Sequence, residues 1–599
     1  MNQNGIEKLK AELAQLPKGY ISNKTINGIE RHYLQWRENG KTKSKYIPDS
    51  EYEAVAAAVA RRKEIEQLLK SADIRRAAIS PAPIIAGYEM NVITGDALRA
   101  MVSYVAGWQK RDCFRSILAY LNGKATPRVC AVYGLRRTGK TTMLHQAINE
   151  MKPEMFSQAA YIKARKKQTM SQLDRDLKQL FNRGFRYVFI DEITFLEDFV
   201  DTASFLSDIY AAMGMKIVLS GTDSLGIWIA EKEELYDRAY LIHTTWISYA
   251  EHARLLGSSD VDDYIRYGGT LRVGETDFDD PELRSEEVSF RDDESTRRYI
   301  DTAICGNIQH SLKCYEDGAH FRHLRELYDA GELTGAINRI IESMNHRFVA
   351  EVLNREFVSN DLKLSRKNLL RERNAALRTD VLERIDVRTV TDRLMEILEI
   401  EDKQNRSVPI QPAHVAEIKE YLSALELIAS LPVKYTAPES DDRESILITQ
   451  PGMRYCQAQA LVYSLGKDEI FAALNEAERE YVCSRILDEV KGRMLEEIVL
   501  YETMRKLPEC DVFKLEFIAG EFDMVIYDRR AHSCKIFEIK HSRERVDSQY
   551  RHLINEAYCR DTAKQFGTIT EKTVLYRGEP HDEPSGIRYQ NVSEYLRSL

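Results

Sequence analysis

The segment Gly134 to Thr141, with the sequence GLRRTGKT, has the residue types and spacing of a phosphate-binding loop. It follows a short apolar strand and precedes a helical stretch, and its glycines let backbone N–H groups close around phosphate at a helix N-terminus. Lys140 would neutralise the β and γ phosphates, and Thr141 would ligate Mg²⁺. We therefore predict that ATP binds at Gly134, Leu135, Arg136, Arg137, Thr138, Gly139, Lys140, Thr141 and Thr142.

Two acids follow a second apolar strand about fifty residues further on, in the run RYVFIDE. Asp191 is expected to hold Mg²⁺ through water, and Glu192 to polarise the attacking water. A third strand, KIVLSG, carries Ser220 at its end, where a γ-phosphate sensor would lie. The alternative for the Ser220 hydroxyl is capping of the turn.

A second group of candidate catalytic residues, two acids and a lysine, lies near the end of the sequence. The tripeptide E-x-K occurs five times, at Glu150, Glu401, Glu417, Glu489 and Glu538. Only the last follows an acid-bearing strand, because Asp523 lies within FDMVIY, fifteen residues before Glu538. Residues two apart on a strand share a face. Glu538 and Lys540 are therefore expected to point together, and Ile539 to the opposite side.

Several motifs follow one another in the chain: the apolar strand before Gly134, then GLRRTGKT, FIDE, VLSGTDS, LYDRAYLIHTTWISYAEHARLLG and YIRYGG. This order of motifs resembles the prokaryotic AAA-type ATPases of the archaeal ATPase group. The resemblance covers most of the chain from about residue 90 onward, and its phosphate-loop part is the specific one. It implies that an arginine in a Gly-Arg pair after the sensor strand acts on the γ-phosphate of a neighbouring subunit. Arg238 is the matching position, with Asp237 in place of the glycine. A surface salt bridge is the alternative for Arg238.

Members of that group commonly carry a C-terminal domain of the PD-(D/E)XK nuclease superfamily, and the arrangement of Asp523, Glu538 and Lys540 resembles its core. The resemblance adds Glu496, in the helical segment GRMLEE, as the helix acid, with its neighbour Glu497 as the alternative. Glu496, Asp523 and Glu538 would hold Mg²⁺ or Mn²⁺, and Lys540 would position or deprotonate water. The alternative is an ion pair between Glu538 and Lys540 on the edge strand of an inactive relative.

Positioning these sites requires a multidomain α/β protein, and the 599 residues are enough for about four folding units. We expect a P-loop AAA-type ATPase core with a helical and winged-helix lid and a C-terminal PD-(D/E)XK-like α/β domain. The expected segments are 1–75 (a small basic β-hairpin and helix module), 90–250 (ATPase core), 251–375 (helical lid), 376–455 (winged-helix-like) and 480–599 (nuclease-like).

The first of these segments is locally basic, although the whole chain has a formal net charge of −9. Residues 1–48 carry nine Lys or Arg against four Glu. Asn-Gly steps at 27–28 and 39–40 predict tight hairpin turns, and a helix is expected over about residues 49–72. Four aromatic residues interleave with the basic ones: Tyr20, Tyr33, Trp36 and Tyr46. They could stack on bases, and the alternative is that they pack on the helix.

The composition excludes several other classes of protein. Apolar residues make up 43% of the chain, which is typical of a globular protein. No apolar run is long enough to span a membrane and Met1 begins a polar stretch, so we expect a cytoplasmic protein without membrane association. The nine cysteines form no C-x-x-C pair, which argues against a structural zinc.

These patterns predict an ATP-hydrolysing protein that couples a P-loop ATPase to a metal-dependent nuclease-like domain. Its expected partners are nucleic acid, with DNA favoured over RNA, and further copies of the same chain. The family resemblance implies a setting in genome defence or mobile-element control. The alternative is an ATP-gated switch or scaffold whose nuclease fold is inactive and only binds nucleic acid or protein.

Overall fold

The computed structural model of the chain describes most of its residues. The described residues are 16–26, 29–38, 41–48, 50–62, 87–196, 198–222, 227, 235–258, 260–271, 290, 292–305, 321–353, 411–436, 442–468, 475–518 and 520–599. The Asn-Gly steps of the predicted hairpin turns and much of the expected winged-helix-like segment lie outside them.

Three antiparallel strands and one helix form the N-terminal module. They are β1 (Tyr20–Ile26), β2 (Ile29–Glu38), β3 (Lys41–Ile47) and α1, which covers described residues 50–62. Ile26 pairs with Ile29, and Glu38 pairs with Lys41. Two residues are therefore left for each connection, which is the hairpin length that Asn-Gly steps favour.

A six-stranded sheet forms the centre of the predicted ATPase core. Its strands are β4 (Asn91–Thr94), β5 (Val129–Tyr133), β6 (Ala159–Lys163), β7 (Tyr187–Asp191), β8 (Lys216–Gly221) and β9 (Ala239–His243). The spatial order is β4-β6-β7-β8-β5-β9, and only β4 runs antiparallel to its neighbour. The parallel strands end at one edge, so the loops after β5, β7 and β8 meet there.

Helices cover both faces of this sheet, which is why its central strands are continuously apolar. They are α2 (Gly95–Val102), α3 (Phe114–Asn122), α4 (Lys140–Asn149), α5 (Pro153–Phe156), α6 (Met170–Asn182) and α7 (Phe199–Thr202). Two further helices, α8 (Tyr249–Leu256) and α9 (Val261–Tyr267), follow β9 and pack in a different hydrophobic core. The middle of the chain continues with α10 (Asp293–Tyr299), α11 (Arg322–Asp329), α12 (Leu333–Leu353), α13 (Pro412–Ala424), α14 (Pro451–Leu465) and α15 (Glu476–Lys506). No helix in the described part of the chain combines the length and apolar character that crossing a membrane requires.

A mixed eight-stranded sheet occupies the last part of the chain. Its strands are β10 (Ile428–Tyr435), β11 (Arg443–Ile448), β12 (Asp511–Phe517), β13 (Gly520–Asp528), β14 (Ser533–Ile539), β15 (Thr568–Tyr576), β16 (His581–Asp582) and β17 (Arg588–Asn591), with helices α16 (Glu556–Phe566) and α17 (Val592–Ser598). Strands β10 and β11, which we expected within a winged-helix segment, extend this sheet because β10 pairs in parallel with β12. The sheet thus crosses the expected boundary between residues 455 and 480.

One hydrophobic core joins the ATPase side of the chain to the C-terminal sheet. Tyr249 and Tyr264, from α8 and α9, are buried with apolar residues of α14 and α15 and with Met524 and Phe537 of the sheet. The carboxyl group of Glu502, on α15, also lies in this core and accepts the backbone N–H of Tyr249 at 2.6 Å. Burial raises the pKa of Glu502 to about 8.

This buried carboxyl group predicts a fall in stability as pH rises. Glu502 is protonated in the folded protein up to about pH 8, whereas it ionises near its ordinary value of 4.5 when exposed. Unfolding between these values releases a proton, so the free energy of unfolding decreases as pH rises through this window. Glu502→Gln keeps an oxygen for the Tyr249 N–H and removes the ionisation. We expect its thermal midpoint at pH 8 to exceed that of the wild type, by roughly 1 °C for each kcal/mol of destabilisation removed, since the entropy of unfolding grows with chain length.

Thermal melts of both proteins near pH 5 and pH 8 check this expectation, and the two midpoints should converge near pH 5. Glu509→Gln is the matched control, since Glu509 is exposed. Identical pH dependence of the Glu502→Gln variant and the wild type would contradict the assignment.

Candidate nucleotide and metal sites

The predicted phosphate-binding loop connects β5 to α4, and its backbone requires glycine at two positions. Gly134 has a φ of +143°, and a Cβ atom there would lie 2.4 Å from Thr244 Oγ1 and 2.9 Å from the Thr245 nitrogen. Gly139 has a φ of +86°, and its Cβ would lie 3.0 Å from Leu271 Cδ1. The glycines of the motif therefore permit both the turn and the close approach of neighbouring segments.

Side chains from outside the motif hold the loop in place. The Leu135 N–H donates to Thr245 Oγ1 at 3.1 Å, and the hydroxyls of Thr138 and Thr244 are 2.8 Å apart. Arg111 donates to the Thr138 carbonyl at 2.6 Å. Arg111, Thr244 and Thr245 were not predicted from the sequence. The pair of threonines directly after β9 was a usable signal, because that strand end lies beside the loop.

Arg111 is itself held by a buried ion pair with Glu251 at the start of α8. The guanidinium contacts the two carboxylate oxygens at 2.6 and 3.3 Å, and both side chains are almost completely buried. Removing one partner of such a pair leaves an uncompensated buried charge. The two residues are 140 positions apart, so no local pattern predicts their contact.

Lys140 is buried, and its Nζ donates to the carbonyl oxygens of Gly134 and Leu135 at 2.7 Å each. Burial lowers the pKa of Lys140 to about 8, although the charges of Glu192 and Asp191 act in the opposite direction. A phosphate in the loop would offer this ammonium group a stronger partner than the two carbonyls.

Asp191 accepts hydrogen bonds from four other side chains at the predicted magnesium site. Its side chain is fully buried, and Thr141 Oγ1 lies 3.2 and 3.1 Å from its two carboxylate oxygens. Tyr161 and Lys163 donate to it at 2.8 and 3.1 Å, and Ser220 also donates to it. Burial acts to raise the pKa of Asp191, but the hydrogen bond from Ser220 and the charge of Lys163 outweigh it and hold the pKa below its usual value.

The structure therefore brings Thr141, Asp191 and Ser220 together, as their places at neighbouring strand ends predict. Tyr161 and Lys163, on β6, were missed. Lys163 ends the strand next to β7, directly beside Asp191 in the register, and this was the available signal.

Glu192 lies in the left-handed region with a φ of 58° and turns towards the end of β8. Its carboxylate accepts the hydroxyl and the backbone N–H of Thr222 at 2.8 and 3.2 Å. Thr222 thus donates two hydrogen bonds to the carboxylate of the predicted catalytic base.

The remaining loop residues have different roles in the structure. Arg137 has a φ of 65°, and its carbonyl accepts the Leu271 N–H at 2.9 Å. The carbonyl of Arg136 accepts the Tyr299 hydroxyl at 3.3 Å, and Thr142 is half-buried in the first turn of α4. The arginine segment of the loop therefore contacts the chain that follows α9 and the end of α10.

Arg238 lies at the opposite end of the sheet from the phosphate-binding loop. Its carbonyl accepts the N–H of Val129 at the start of β5, whereas the loop follows the end of β5. Its guanidinium pairs with Asp208 at 2.9 Å and is 41% exposed. Arg238 therefore does not face the nucleotide site of its own chain. Asp237 before it has a φ of 55°, a conformation that glycine adopts freely.

The late candidates also converge. Lys540 Nζ lies 2.9 Å from Asp523 Oδ2 and 2.6 Å from Glu538 Oε2, and the Ile539 N–H donates to Asp523 at 2.7 Å. Ile539 itself is buried in the core on the α15 side. Glu538 and Lys540 thus share a face, as their spacing predicts. His552 adds a contact of 3.0 Å to Glu538.

Two of the three carboxylates predicted from the sequence as metal ligands, Glu496 and Asp523, lie close enough to share an ion, and Glu521 is the third member of their group. Glu496, Glu521 and Asp523 have oxygen atoms within 4.8 Å of one another. Within the described residues, Glu538 is not part of this group, and its oxygens contact Lys540 and His552. Glu521 was missed, although it lies two residues before Asp523 on β13 and shares its face.

Cations surround this acidic group. Lys514 lies 2.7 Å from Glu521 and 3.6 Å from Glu496, and Arg493 lies 2.7 Å from Glu496. The alternative helix acid, Glu497, is buried instead against Arg454 on α14. The structure therefore places Glu496 at the acidic group.

The charged groups of this site shift one another's pKa values. Burial acts to raise the pKa of Asp523, but Lys540 and Lys514 outweigh it and hold the pKa well below its usual value. Burial raises the pKa of Glu538, despite the charge of Lys540. Burial acts to lower the pKa of Lys540, but Asp523 and Glu538 hold it well above its usual value. Lys540 is therefore a cation at neutral pH.

Aromatic rings of the N-terminal module contact one another, and one of them is also exposed. The ring of Tyr33 contacts that of Tyr46, and His32 lies 4.1 Å from Tyr52 of α1. Tyr46 is nevertheless 44% exposed on β3, where Lys43 and Lys45 are also exposed. The side chains of Tyr20 and Trp36 lie outside the described set.

Comparison with known proteins agrees with the first site. A family model described as an AAA domain matches residues 126–253, which include β5, the loop, Asp191 and Ser220. Residues 126–253 form an AAA-type P-loop ATPase domain. Domains of this type bind nucleotide, typically with Mg²⁺. A second model, a domain of unknown function (DUF6788), matches residues 3–57.

Two solved structures match the chain remotely. The chain has 13% identity and a TM-score of 0.25 to a structure of the S. cerevisiae Hsp104-ADP complex, covering 70% of this chain and 61% of that one. It has 13% identity and a TM-score of 0.19 to the Aeropyrum pernix ORC1 protein in complex with DNA, covering 63% of this chain and 93% of that one. No curated protein matches the chain significantly.

The lowered pKa of Lys140 predicts that nucleotide affinity depends on pH. The polyphosphate of ATP favours the charged amine, so binding above about pH 8 requires uptake of a proton. We expect the association constant to fall by up to about tenfold for each pH unit above 8. Titration of a fluorescent ATP analogue between about pH 7 and pH 10 measures this.

Lys140→Arg is the matched control, because its side chain stays charged over this range and should abolish the pH dependence. Lys140→Ala should bind weakly at every pH. A wild-type affinity that is constant up to pH 10 would contradict the lowered pKa.

Proposed function

We propose that the chain is an ATP hydrolase whose P-loop centre controls a metal-dependent nuclease centre that acts on nucleic acid. The observation that carries the proposal is the convergence of Glu496, Glu521 and Asp523 beside the cation of Lys540. This cluster lies in a protein whose AAA-type domain and C-terminal sheet share a hydrophobic core. A nuclease whose activity depends on ATP would use both features.

In the ATPase half, the hydroxyl of Thr141 and the carboxylate of Asp191 are hard oxygen donors and fit Mg²⁺. Magnesium, when bound, neutralises charge on the β and γ phosphates. Lys140 would exchange its two carbonyl partners for phosphate oxygens. Glu192 would exchange Thr222 for the attacking water and hold that water in line.

Glu192→Gln should therefore lower ATP turnover by at least about 100-fold and leave nucleotide affinity nearly unchanged. The amide retains the hydrogen bond from Thr222 but does not polarise water. A phosphate-release assay and a nucleotide titration separate the two quantities. Glu154→Gln, an exposed acid of α5, is the matched control. Loss of affinity in the Glu192 variant would instead assign this residue a structural role.

In the nuclease half, three carboxylates at the spacing of Glu496, Glu521 and Asp523 fit Mg²⁺ or Mn²⁺. Such an ion, when bound, polarises a phosphodiester and lowers the pKa of a bound water. Lys540 would orient the water and balance charge on the phosphate. Glu538 holds Lys540 in place through the contact at 2.6 Å, which makes it a positioning residue in this proposal.

Variants of the acids separate the two possible ligand sets. Asp523→Asn and Glu521→Gln should each weaken Mn²⁺ binding by at least about tenfold and abolish cleavage, since each removes a hard oxygen ligand. Glu538→Gln should keep Mn²⁺ affinity and lose cleavage, because only the support of Lys540 is removed. Calorimetric titration with Mn²⁺ and a gel assay of plasmid cleavage measure these effects.

Glu516→Gln is the matched control, because this acid lies on the neighbouring strand β12 and pairs with Arg443. If Glu538→Gln loses metal and Glu521→Gln does not, the set predicted from the sequence holds. If no protein cleaves DNA or RNA with metal and ATP, the alternative of an ATP-gated scaffold replaces the nuclease.

The proposed partners follow from the same features. Nucleic acid is the substrate, with DNA favoured over RNA, and the exposed lysines and tyrosine of β3 could add contacts to it. A homo-oligomer would let Arg238, which faces away from its own nucleotide site, act on a neighbouring subunit. Genome defence or mobile-element control remains the proposed setting and rests on the family resemblance.

A further inference from the structure

Three basic side chains form a cluster directly beside the proposed nuclease centre. His541 and Arg543 follow Lys540 in the chain, and Arg577 follows the end of β15. The two loops are joined, because the Lys540 N–H donates to the Leu575 carbonyl at 2.8 Å and the Arg577 N–H donates to the Ser542 carbonyl at 3.0 Å. We call His541, Arg543 and Arg577 the basic cluster.

The loop that carries Arg543 is ordered by its own polar groups. Gln549 donates to the hydroxyl of Ser542 at 2.7 Å and to the carbonyl of Glu544 at 2.9 Å. Its side-chain oxygen accepts the Val546 N–H at 3.0 Å. The loop therefore presents its cation from a defined backbone rather than from a freely moving segment.

Two aspartates from the ATPase side cover the basic cluster. Asp262, on α9, lies 2.6 Å from His541 Nε2 and 2.9 Å from Arg577 Nη1. Asp260, which precedes α9, lies 3.1 Å from Arg577 and 3.5 Å from Arg543. The Arg577 side chain is 11% exposed in this arrangement, whereas Arg543 is 70% exposed. The acids thus occupy the inner part of the cluster.

The cations around Asp262 favour its charged form. Burial acts to raise its pKa, but the hydrogen bond from His541 and the charges of His541, Arg577 and Lys491 outweigh it and hold the pKa at about 2. Asp262 therefore remains an anion at any physiological pH. Arginine binds a carboxylate and a phosphate with the same forked geometry.

The segment that carries the two acids also touches the phosphate-binding loop. Residues 260–271 run from Asp260 through α9 to Leu271, whose N–H donates to the Arg137 carbonyl at 2.9 Å. Its methyl group lies beside Gly139. The same segment is anchored to the start of α14, where Gly268 accepts the Gly452 N–H at 3.0 Å. One continuous segment therefore contacts the nucleotide loop at one end and the basic cluster at the other.

We propose that the basic cluster is the subsite that binds backbone phosphates of the nucleic acid beside the scissile bond, and that Asp260 and Asp262 cover it until ATP engages the phosphate-binding loop. The proposal rests on the nuclease function proposed above and names its regulation. Nucleic-acid phosphates would replace the two carboxylates on the same cations. ATP can shift the equilibrium between the covered and open arrangements only if it binds one of them more tightly than the other.

The test uses the full chain and a short fluorescein-labelled DNA duplex, with EDTA and without nucleotide. Asp260→Asn combined with Asp262→Asn should bind the duplex on the order of tenfold more tightly than the wild type. Its affinity should also depend more steeply on salt, since each phosphate contact adds about 0.9 to the slope of log K against log salt. Unchanged affinity and slope would overturn the proposal, because loss of a purely structural contact does not create phosphate contacts.

Asp263→Asn is the matched control, because Asp263 lies on the same helix and carries the same charge but pairs with Ser258. It should bind the duplex like the wild type. Equal tightening in this control would mean that lost negative charge alone explains the effect. Adding Arg577→Gln to the double aspartate variant should remove the gain in affinity, and a gain that persists would also overturn the proposal.

A second variant covers the case in which the double variant fails to fold, as judged by thermal melting. Arg543→Gln changes a mostly exposed side chain and should leave the fold intact. With Ca²⁺ in place of EDTA, wild-type protein with a non-hydrolysable ATP analogue should approach the affinity of the double aspartate variant, and Arg543→Gln should lose part of this increase. No effect of the analogue on wild-type affinity would overturn the link to ATP.

Cleavage in Mg²⁺ separates this inference from the proposed function. Tighter binding without cleavage by any variant would remove the nuclease activity and leave the phosphate subsite. Cleavage by the wild type without tighter binding in the double variant would leave the nuclease and remove the covered subsite.

Discussion

The buried ion pair between Arg454 and Glu497 is the interaction on which much of the described structure depends. Arg454 is among the largest fully buried side chains, and it also donates to the Ile446 carbonyl at 2.8 Å and to Asn345 at 3.4 Å. It therefore ties α14 to α15, to β11 and to α12 at one point. Loss of one partner of such a pair costs about 3 to 5 kcal/mol, because the other charge stays buried. The neighbour of Glu497 is Glu496, so this pair also sets where the first carboxylate of the metal cluster lies.

Both candidate centres share one electrostatic feature, which is that protein groups already satisfy their charges. Lys140 donates to two carbonyls, Glu192 accepts from Thr222, and Lys540 bridges two carboxylates. Buried charges need such partners, since leaving them unpaired costs several kcal/mol. Each step of the proposed chemistry is therefore an exchange of partners. An exchange requires much less free energy than the separation of a charge from all partners, so both sites can be buried and still function.

The hydrophobic core between α8, α9 and α15 connects the two centres at which these exchanges would take place. The ATPase side and the C-terminal sheet pack against the same 31-residue helix, so neither moves without changing contacts of the other. Packed cores change between discrete arrangements rather than deforming continuously. The segment 260–271 lies at this junction and contacts the phosphate-binding loop at one end and the basic cluster at the other.

Local sequence determined the features that depend on neighbours along the chain. The strand, glycine loop and helix around Lys140, the strand before Asp191 and the strands that carry Asp523 and Glu538 were all predictable, because apolar runs and glycine spacing fix backbone conformation over a few residues. Only the tertiary structure decided which charged groups from separate elements meet. It placed Arg111 on Glu251 across 140 residues, chose Glu496 over Glu497, and added Glu521 to the group of Glu496 and Asp523. Such contacts depend on the docking of whole elements, and a sequence pattern records which side of an element is apolar but not which partner faces its polar groups.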